Sequence, residues 1–191
     1  MKIFSSLIVM GVFCYSTLVN AQQTLPYKKP LLPTEARVND LLNRMTLEEK
    51  IAQIRHLHSW DMFDGQELNL EKLDKMCGGV GYGFFEGFPL TAASCRKTFR
   101  EIQTYMVEKT RLGIPGFSIA ESLHGVVHEG ATIYPQNIAM GSTFNPKLAY
   151  ERAKHISGEL NTMGVKQVLA PCIDVVRDLR WGRVEESFGE D

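Results

Sequence analysis

The sequence predicts an α/β fold, a parallel sheet whose strands are joined by helical crossovers. Three observations carry this prediction. Strand-like runs occur at Gly78–Phe85, Ile114–Glu121 and Val165–Asp174. Stretches with apolar residues at helical spacing separate them. The order strand, helix, strand, helix, strand places consecutive strands side by side and pointing the same way. Of the 191 residues 44% are hydrophobic, and the formal net charge is -1. That suits a soluble globular chain and gives no electrostatic case for nucleic acid or an anionic membrane as a partner.

In chain order, Met1 and Lys2 precede an apolar run, Ile3 to Val19, and Val19, Asn20 and Ala21 stand at the positions a signal peptidase reads. Residues 1–21 are therefore expected to be a cleaved export signal, giving a secreted or periplasmic protein with no membrane contact in its mature form. The run is short for a spanning helix of about 20 residues. Cys14, preceded by Gly-Val-Phe, does not fit a lipoprotein site. Residues 22–33, QQTLPYKKPLLP, read as an extended lead-in.

Thr34 opens a helix with Val38, Leu41, Leu42 and Met45 at helical spacing, and Thr46 with Glu49 makes a capping box for the helix LEEKIAQIRH. After the glycine-rich first strand, LTAASCRKTFREIQTYMVEKTRLG reads as a helix stopped by Gly113. Asn145 and Pro146 suit the N-cap and first position of another, in which Ala149, Ala153, Ile156, Leu160 and Met163 line one face before Gly164.

In parallel α/β folds the chemistry sits where strands end and loops begin. That rule selects Glu121, followed by Ser-Leu-His-Gly, and Asp174, followed by VVRDLRWGRVEESFGED. Other patterns carry less. His124 and His128 stand four apart, but Gly125 occupies the position where a zincin needs its glutamate. Glycines 78, 79, 81 and 83 do not match a phosphate-binding G-x-G-x-x-G. His56 and His58 read as polar surface residues near a helix end. Without the leader, Cys77, Cys95 and Cys172 remain, an odd number with no zinc-type spacing. Neither a disulfide scaffold, a metal nor another cofactor is expected.

The stretches LGIPGFSIAESLHGV, GATIYPQNIAMGSTFNP and LAPCIDVVRDLRWGRVEESFGED resemble, in order, the signature segments of the N-terminal domain of glycoside hydrolase family 3, and RVNDLLNRMTLEEKIAQ resembles its opening helices. The resemblance implies that residues 34–191 are the first part, about three β/α units, of a (β/α)8 TIM barrel, incomplete as it stands. It implies an exo-acting, retaining β-glycosidase of the β-glucosidase or β-xylosidase type, acting on the terminal sugar of an oligosaccharide, disaccharide or aryl β-glycoside. By the same resemblance, Arg183 and Glu121 bind hydroxyls of that sugar, His124 and Trp181 support the site, and Asp174 and Glu186 hold the loop and orient Arg183.

A carboxylate accepts hydrogen bonds from two neighbouring hydroxyls and a guanidinium grips their oxygens in a fixed fork. Such contacts position a ring without cleaving it. Retaining cleavage needs two further carboxyl groups about 5–5.5 Å apart. The family's nucleophile is an aspartate in a Ser-Asp-aromatic stretch, and no Ser-Asp pair occurs here. The chain is thus expected to be a fragment that is inactive alone. Lys154 and His155 look like the family's Lys-His substrate pair but fall within the helix that starts at Pro146, so they read as helix-surface residues.

A rival reading is a non-catalytic carbohydrate-binding or sensor protein. Glu121 stands where many glucosidase members have aspartate, and its extra methylene would favour a pentose over a hexose unless the backbone shifts back to absorb it.

Overall fold

The structure is a computed structural model that describes residues 25–58, 60–86 and 91–190. The expected leader, residues 1–21, lies outside them. The chain divides into two compact units, Met1–Arg44 and Met45–Asp191.

In the first unit the lead-in is not wholly extended. Pro26–Lys28 form a 3-10 turn with Tyr27 buried, followed by helix α1, Thr34–Arg44. Asp40 ties turn to helix by accepting from the Tyr27 backbone N–H at 3.2 Å, and Arg44 clamps the same carboxylate at 2.9 Å.

The second unit begins with α2, Leu47–Gln53, whose Thr46/Glu49 capping box is formed as expected. A short strand, β1 (His56–His58), follows, then a 3-10 turn and a hairpin of β2 (Phe63–Asp64) and β3 (Glu67–Leu68). Next come α3 (Leu70–Cys77), β4 (Phe84–Glu86), α4 (Ala92–Lys109), β5 (Phe117–Ala120), α5 (Asn137–Gly141), α6 (Pro146–Met163) and β6 (Gln167–Val168). One sheet has the order β1-β4-β5-β6, with every neighbouring pair parallel.

The expected strands are all present but shorter than the runs that suggested them. Gly78 belongs to a helix end: it adopts left-handed backbone at φ 55° and caps α3. His56 and His58 stand close after α2, and His56 is exposed, in keeping with its reading as a polar surface residue. They are strand residues of β1, held in the sheet because Leu57 between them is only 5% exposed and pairs in register with Phe85.

Strand alternation sends one set of side chains to the helices and the other to the opposite face. Phe85 and Ser118 are register partners, 0% and 2% exposed. Phe85 packs in one cluster with Leu73 of α3, Phe99, Ile102 and Met106 of α4 and Leu160 of α6, while the Ser118 hydroxyl donates to the Gly164 carbonyl at 2.7 Å. Phe84 and Phe117 stack on the other face, ring centroids 5.7 Å apart. At Gly83 a methyl group would collide with the Gln53 carbonyl, so only glycine lets the α2 end approach the sheet this closely.

Cys77 and Cys95 are buried free thiols, pushed by burial to about 12 and about 11, which keeps them protonated core residues. Phe85 fills the space between sheet and helices, so Phe85→Ala is expected to cost about 3–5 kcal/mol, read as a fall in the denaturation midpoint with unchanged slope. Phe117→Ala, on the open face at 54% exposure, is expected to cost far less.

Candidate functional site

Two acids stand at the C-terminal rim of the parallel strands. Glu86 ends β4, and alternation puts it on the face of Phe84, opposite Phe85. Glu121 follows β5 directly. The register of Phe85 with Ser118 sets Glu86 level with Ile119, two residues before Glu121. Glu86 is flanked from β1 by His56, whose Nε2 lies 3.6 Å from its Oε1.

Arg183 comes from the far end of the chain. It precedes a 3-10 turn, Val184–Glu186, and its Nε donates to Glu186 Oε2 at 2.7 Å with a second terminal nitrogen at 2.5 Å. That fork presents the guanidinium in one orientation while leaving it 60% exposed. The turn is fixed from below. Asn137 of α5, 0% exposed, donates through Nδ2 to the Glu186 carbonyl at 2.7 Å, and Arg152 of α6 donates to Asn137 Oδ1 at 2.5 Å. Arg152 also donates to the Pro135 carbonyl at 3.0 Å and lies over the Phe188 ring. At Gly141 a methyl would collide with the Phe188 carbonyl, so glycine lets α5 seat against this segment.

Charge links the groups. Burial pushes the Glu121 carboxyl above its ordinary value, and the negative charges of Glu86 and Glu186 add to this while Arg183 opposes it. Arg183 is in turn held in its charged form chiefly by Glu186, with a smaller contribution from Glu121. Glu86, Glu121, Arg183 and Glu186 thus share one electrostatic neighbourhood.

The other residues chosen from the sequence separate into supports and outliers. His124 binds the Tyr134 carbonyl through Nδ1 at 3.0 Å, and a methyl on Gly125 would strike the Thr132 carbonyl, so the loop after Glu121 is pinned to the 132–134 segment. Trp181 closes a turn by donating its backbone N–H to Asp178 at 3.1 Å. Asp174 does not brace Arg183: its carboxylate accepts from the Cys172 thiol at 3.2 Å, leaving Glu186 as the partner that orients the arginine. Lys154 and His155 lie on the exposed side of α6.

Glu86 escaped the sequence reading, although the strand-end rule that picked Glu121 applies equally to the acid after GYGFF. A cavity of about 800 Å³ between α6, β6 and Phe188 is lined by none of Glu86, Glu121 or Arg183. Among the described residues no group of three or more His, Cys, Asp or Glu could hold a metal ion, and no helix is long and apolar enough to cross a membrane.

Comparison with known proteins places this rim in a family. Residues 46–191 match the Glycosyl hydrolase family 3 N terminal domain. The chain belongs to glycoside hydrolase family 3. A putative β-xylosidase of Formosa agariphila is 31% identical over 99% of the chain and 26% of its own length. The periplasmic β-glucosidase of Salmonella typhimurium is 33% identical over 85% of the chain and 20% of its own length. The chain therefore spans about a quarter or less of these relatives. Among solved structures, a β-glucosidase from Erythrobacter marinus matches with a TM-score of 0.74 at 28% identity, over 88% of the chain and 22% of that enzyme. The Listeria innocua β-glucosidase in complex with isofagomine matches with a TM-score of 0.64 at 32% identity, over 84% of the chain and 21% of that enzyme.

The four parallel strands are accordingly the opening strands of the family 3 barrel, and their C-terminal rim is the face on which such barrels carry their chemistry.

Two expectations test the local physics of this family 3 rim. Asn137→Ala strands a buried guanidinium donor and the Glu186 carbonyl together, so it is expected to cost about 2–3 kcal/mol in thermal or urea denaturation. For Glu121, whose folded-state carboxyl titrates above its ordinary value of 4.5, the penalty is absent at low pH, where the group is protonated in both states. It grows as pH rises past that value and is constant once the folded group has ionised. Glu121→Gln is therefore expected to raise the melting temperature at pH 7 on the order of 1 °C, since solvent screening keeps so exposed an effect small. The gain should vanish near pH 3.

Proposed function

We propose that this chain supplies the sugar-positioning part of an exo-acting, retaining β-glycosidase, with Glu121 and Arg183 receiving hydroxyls of a terminal β-linked glucose or xylose unit. The observation that carries the reading is Arg183, held in a fork by Glu186 with its guanidinium 60% exposed, together with Glu121 directly at the C-terminal end of β5. A carboxylate accepts hydroxyl hydrogens and the exposed edge of the guanidinium donates to hydroxyl oxygens, so the pair suits a neutral polyol. His124 and Trp181 fix the loops that carry the pair, and Glu186 orients the arginine. The relatives' names, β-xylosidase and β-glucosidase, support a β-glycoside as the substrate class.

These residues bind and orient; they do not break the bond. Retaining hydrolysis needs a nucleophile and an acid/base about 5–5.5 Å apart, and the family's Ser-Asp nucleophile stretch does not occur within the 191 residues. Residues 1–21 are proposed to direct export, a reading supported by the basic start, apolar run and small residues at 19–21, and by the relative named periplasmic.

The chain is expected to release no nitrophenol from nitrophenyl β-glucoside or β-xyloside above a mock preparation, yet to bind methyl β-xyloside and methyl β-glucoside in an NMR titration. Arg183→Ala should weaken that binding by about 2 kcal/mol, the scale of hydrogen bonds to a charged group. Glu121→Asp should move the xyloside-to-glucoside affinity ratio toward glucoside. Turnover by the chain would overturn the division between positioning and cleavage. Binding indifferent to Arg183→Ala would overturn the site.

A further inference from the structure

Arg183 projects from an element too small to hold itself. The 3-10 turn Val184–Glu186 contains no buried residue. It is closed by backbone bonds from Glu186 to the Arg183 carbonyl at 3.1 Å and from Ser187 to the Val184 carbonyl at 3.2 Å, with Ser187 Oγ donating to the same carbonyl at 2.8 Å. One such turn is marginal in water without outside contacts. Asn137 supplies one, its Nδ2 donating to the Glu186 carbonyl at 2.7 Å.

Asn137 is 0% exposed, and an amide there could turn either its oxygen or its nitrogen toward the turn. Arg152 settles which. A guanidinium only donates, so by taking Asn137 Oδ1 at 2.5 Å it directs Nδ2 at the Glu186 carbonyl. Arg152 is held in its turn by the Pro135 carbonyl at 3.0 Å and lies over the Phe188 ring, 5.7 Å from its centroid. The residue anchored by its carbonyl is also the one whose carboxylate grips Arg183 at 2.7 Å. A chain of direct hydrogen bonds, passing through Glu186, therefore runs from α6 to Arg183.

As mere filling, this arrangement is costly. Arg152 is 7% exposed, faces uncharged acceptors and leaves its Nε without a hydrogen-bond partner, where an apolar side chain would pack without that penalty. What the guanidinium adds is the orientation of Asn137.

We propose that Arg152 and Asn137 are positioning residues for sugar binding: Arg152 sets the Asn137 amide, Asn137 sets the turn, and the turn aims Arg183. Both act through Arg183 and not on the ligand. The proposal rests on the reading of Arg183 given above.

The discriminating variant is Asn137→Asp. It keeps an acceptor for Arg152, now with a counter-charge, but loses the donor to the Glu186 carbonyl, so the fold is retained while the turn is released. Methyl β-xyloside is titrated by NMR into the chain and its Asn137→Asp, Arg152→Met and Arg183→Ala variants, and into each of the first two combined with Arg183→Ala, with a melting curve for every protein. Asn137→Asp is expected to raise Kd about fivefold, less than the direct loss of the arginine, without lowering the melting temperature. Arg152→Met, which frees the amide to flip, should raise Kd to a similar extent. Neither should weaken binding further once Arg183 is alanine, because the group they aim is gone. A merely structural Asn137 would shift the melting temperature and leave Kd unchanged, or raise Kd equally with and without Arg183, and either result overturns the proposal. If Asn137→Asp does not fold, Arg152→Met decides by the same comparison. If Arg183→Ala weakens binding while Asn137→Asp and Arg152→Met do not, this proposal alone falls. If Arg183→Ala leaves Kd unmoved, or the glycoside does not bind, the earlier reading of the site falls and this proposal with it.

Discussion

The two-residue period of the parallel strands, locked by the burial of Phe85 and Ser118, is the constraint on which the rest of this structure hangs. Phe85 enters the helix-side cluster at 0% exposure and Ser118 closes on the Gly164 carbonyl. With those two committed, Phe84, Phe117 and Glu86 must lie on the other face. A slip of one residue would send both Glu86 and the Phe84–Phe117 stack into the helix layer and bring Phe85 out. The cost of burying a carboxylate among Phe99, Ile102 and Met106 makes that register untenable. The face of Glu86 is therefore set by an apolar residue buried among the helices.

A second, independent support reaches the rim from below. Arg152 is 7% exposed and its guanidinium is spent on uncharged acceptors, the Pro135 carbonyl and the Asn137 side chain, with the Phe188 ring beneath it. Burying a guanidinium without a counter-ion is costly, and burial lowers its pKa accordingly. In return α6 is coupled through Asn137 to the Glu186 backbone and so to the turn that aims Arg183. The orienting acid thus does two jobs: its carbonyl anchors the turn through Asn137, and its carboxylate holds the arginine.

Much of this was legible in the sequence, and what was not has identifiable reasons. The caps at Thr46, Asn145 and Gly164 are local signals, decided by hydrogen bonds within three or four residues, and they formed where expected. Strand lengths were over-read because the sequence carries no signal that separates the glycine run before Phe84, or Val165–Lys166, from the strands they precede, and only pairing partners mark the true ends. His56–His58 was missed because a three-residue strand with one apolar residue has no period to detect; its evidence is Phe85, 28 residues away, paired with Leu57. Glu121 and Arg183 are singled out by the sequence because they sit in dense polar motifs. Glu86, in an apolar, glycine-rich run, offered no such contrast, and Asp174 was assigned to Arg183 when its nearer partner was Cys172.

On the proposed reading, the strand ladder also bears on which sugar the rim prefers. A glutamate where an aspartate would serve can be accommodated either by extending further into the pocket or by a retreat of the backbone behind it. The retreat is blocked here. The Ala120 carbonyl accepts from the Leu169 N–H at 3.0 Å, and Ala120 is in register with Val168 of β6. On the far side of Glu121, Ser122 is 4% exposed and His124 and Gly125 are pinned to the 132–134 segment. Moving residue 121 back by the length of one methylene would break a parallel ladder bond and unseat that loop, at a cost of about 1 kcal/mol or more for the bond alone. The backbone therefore does not absorb the extra length of the side chain. On that proposal the added methylene weighs against a group as large as a hexose's hydroxymethyl, a discrimination of about 1–3 kcal/mol.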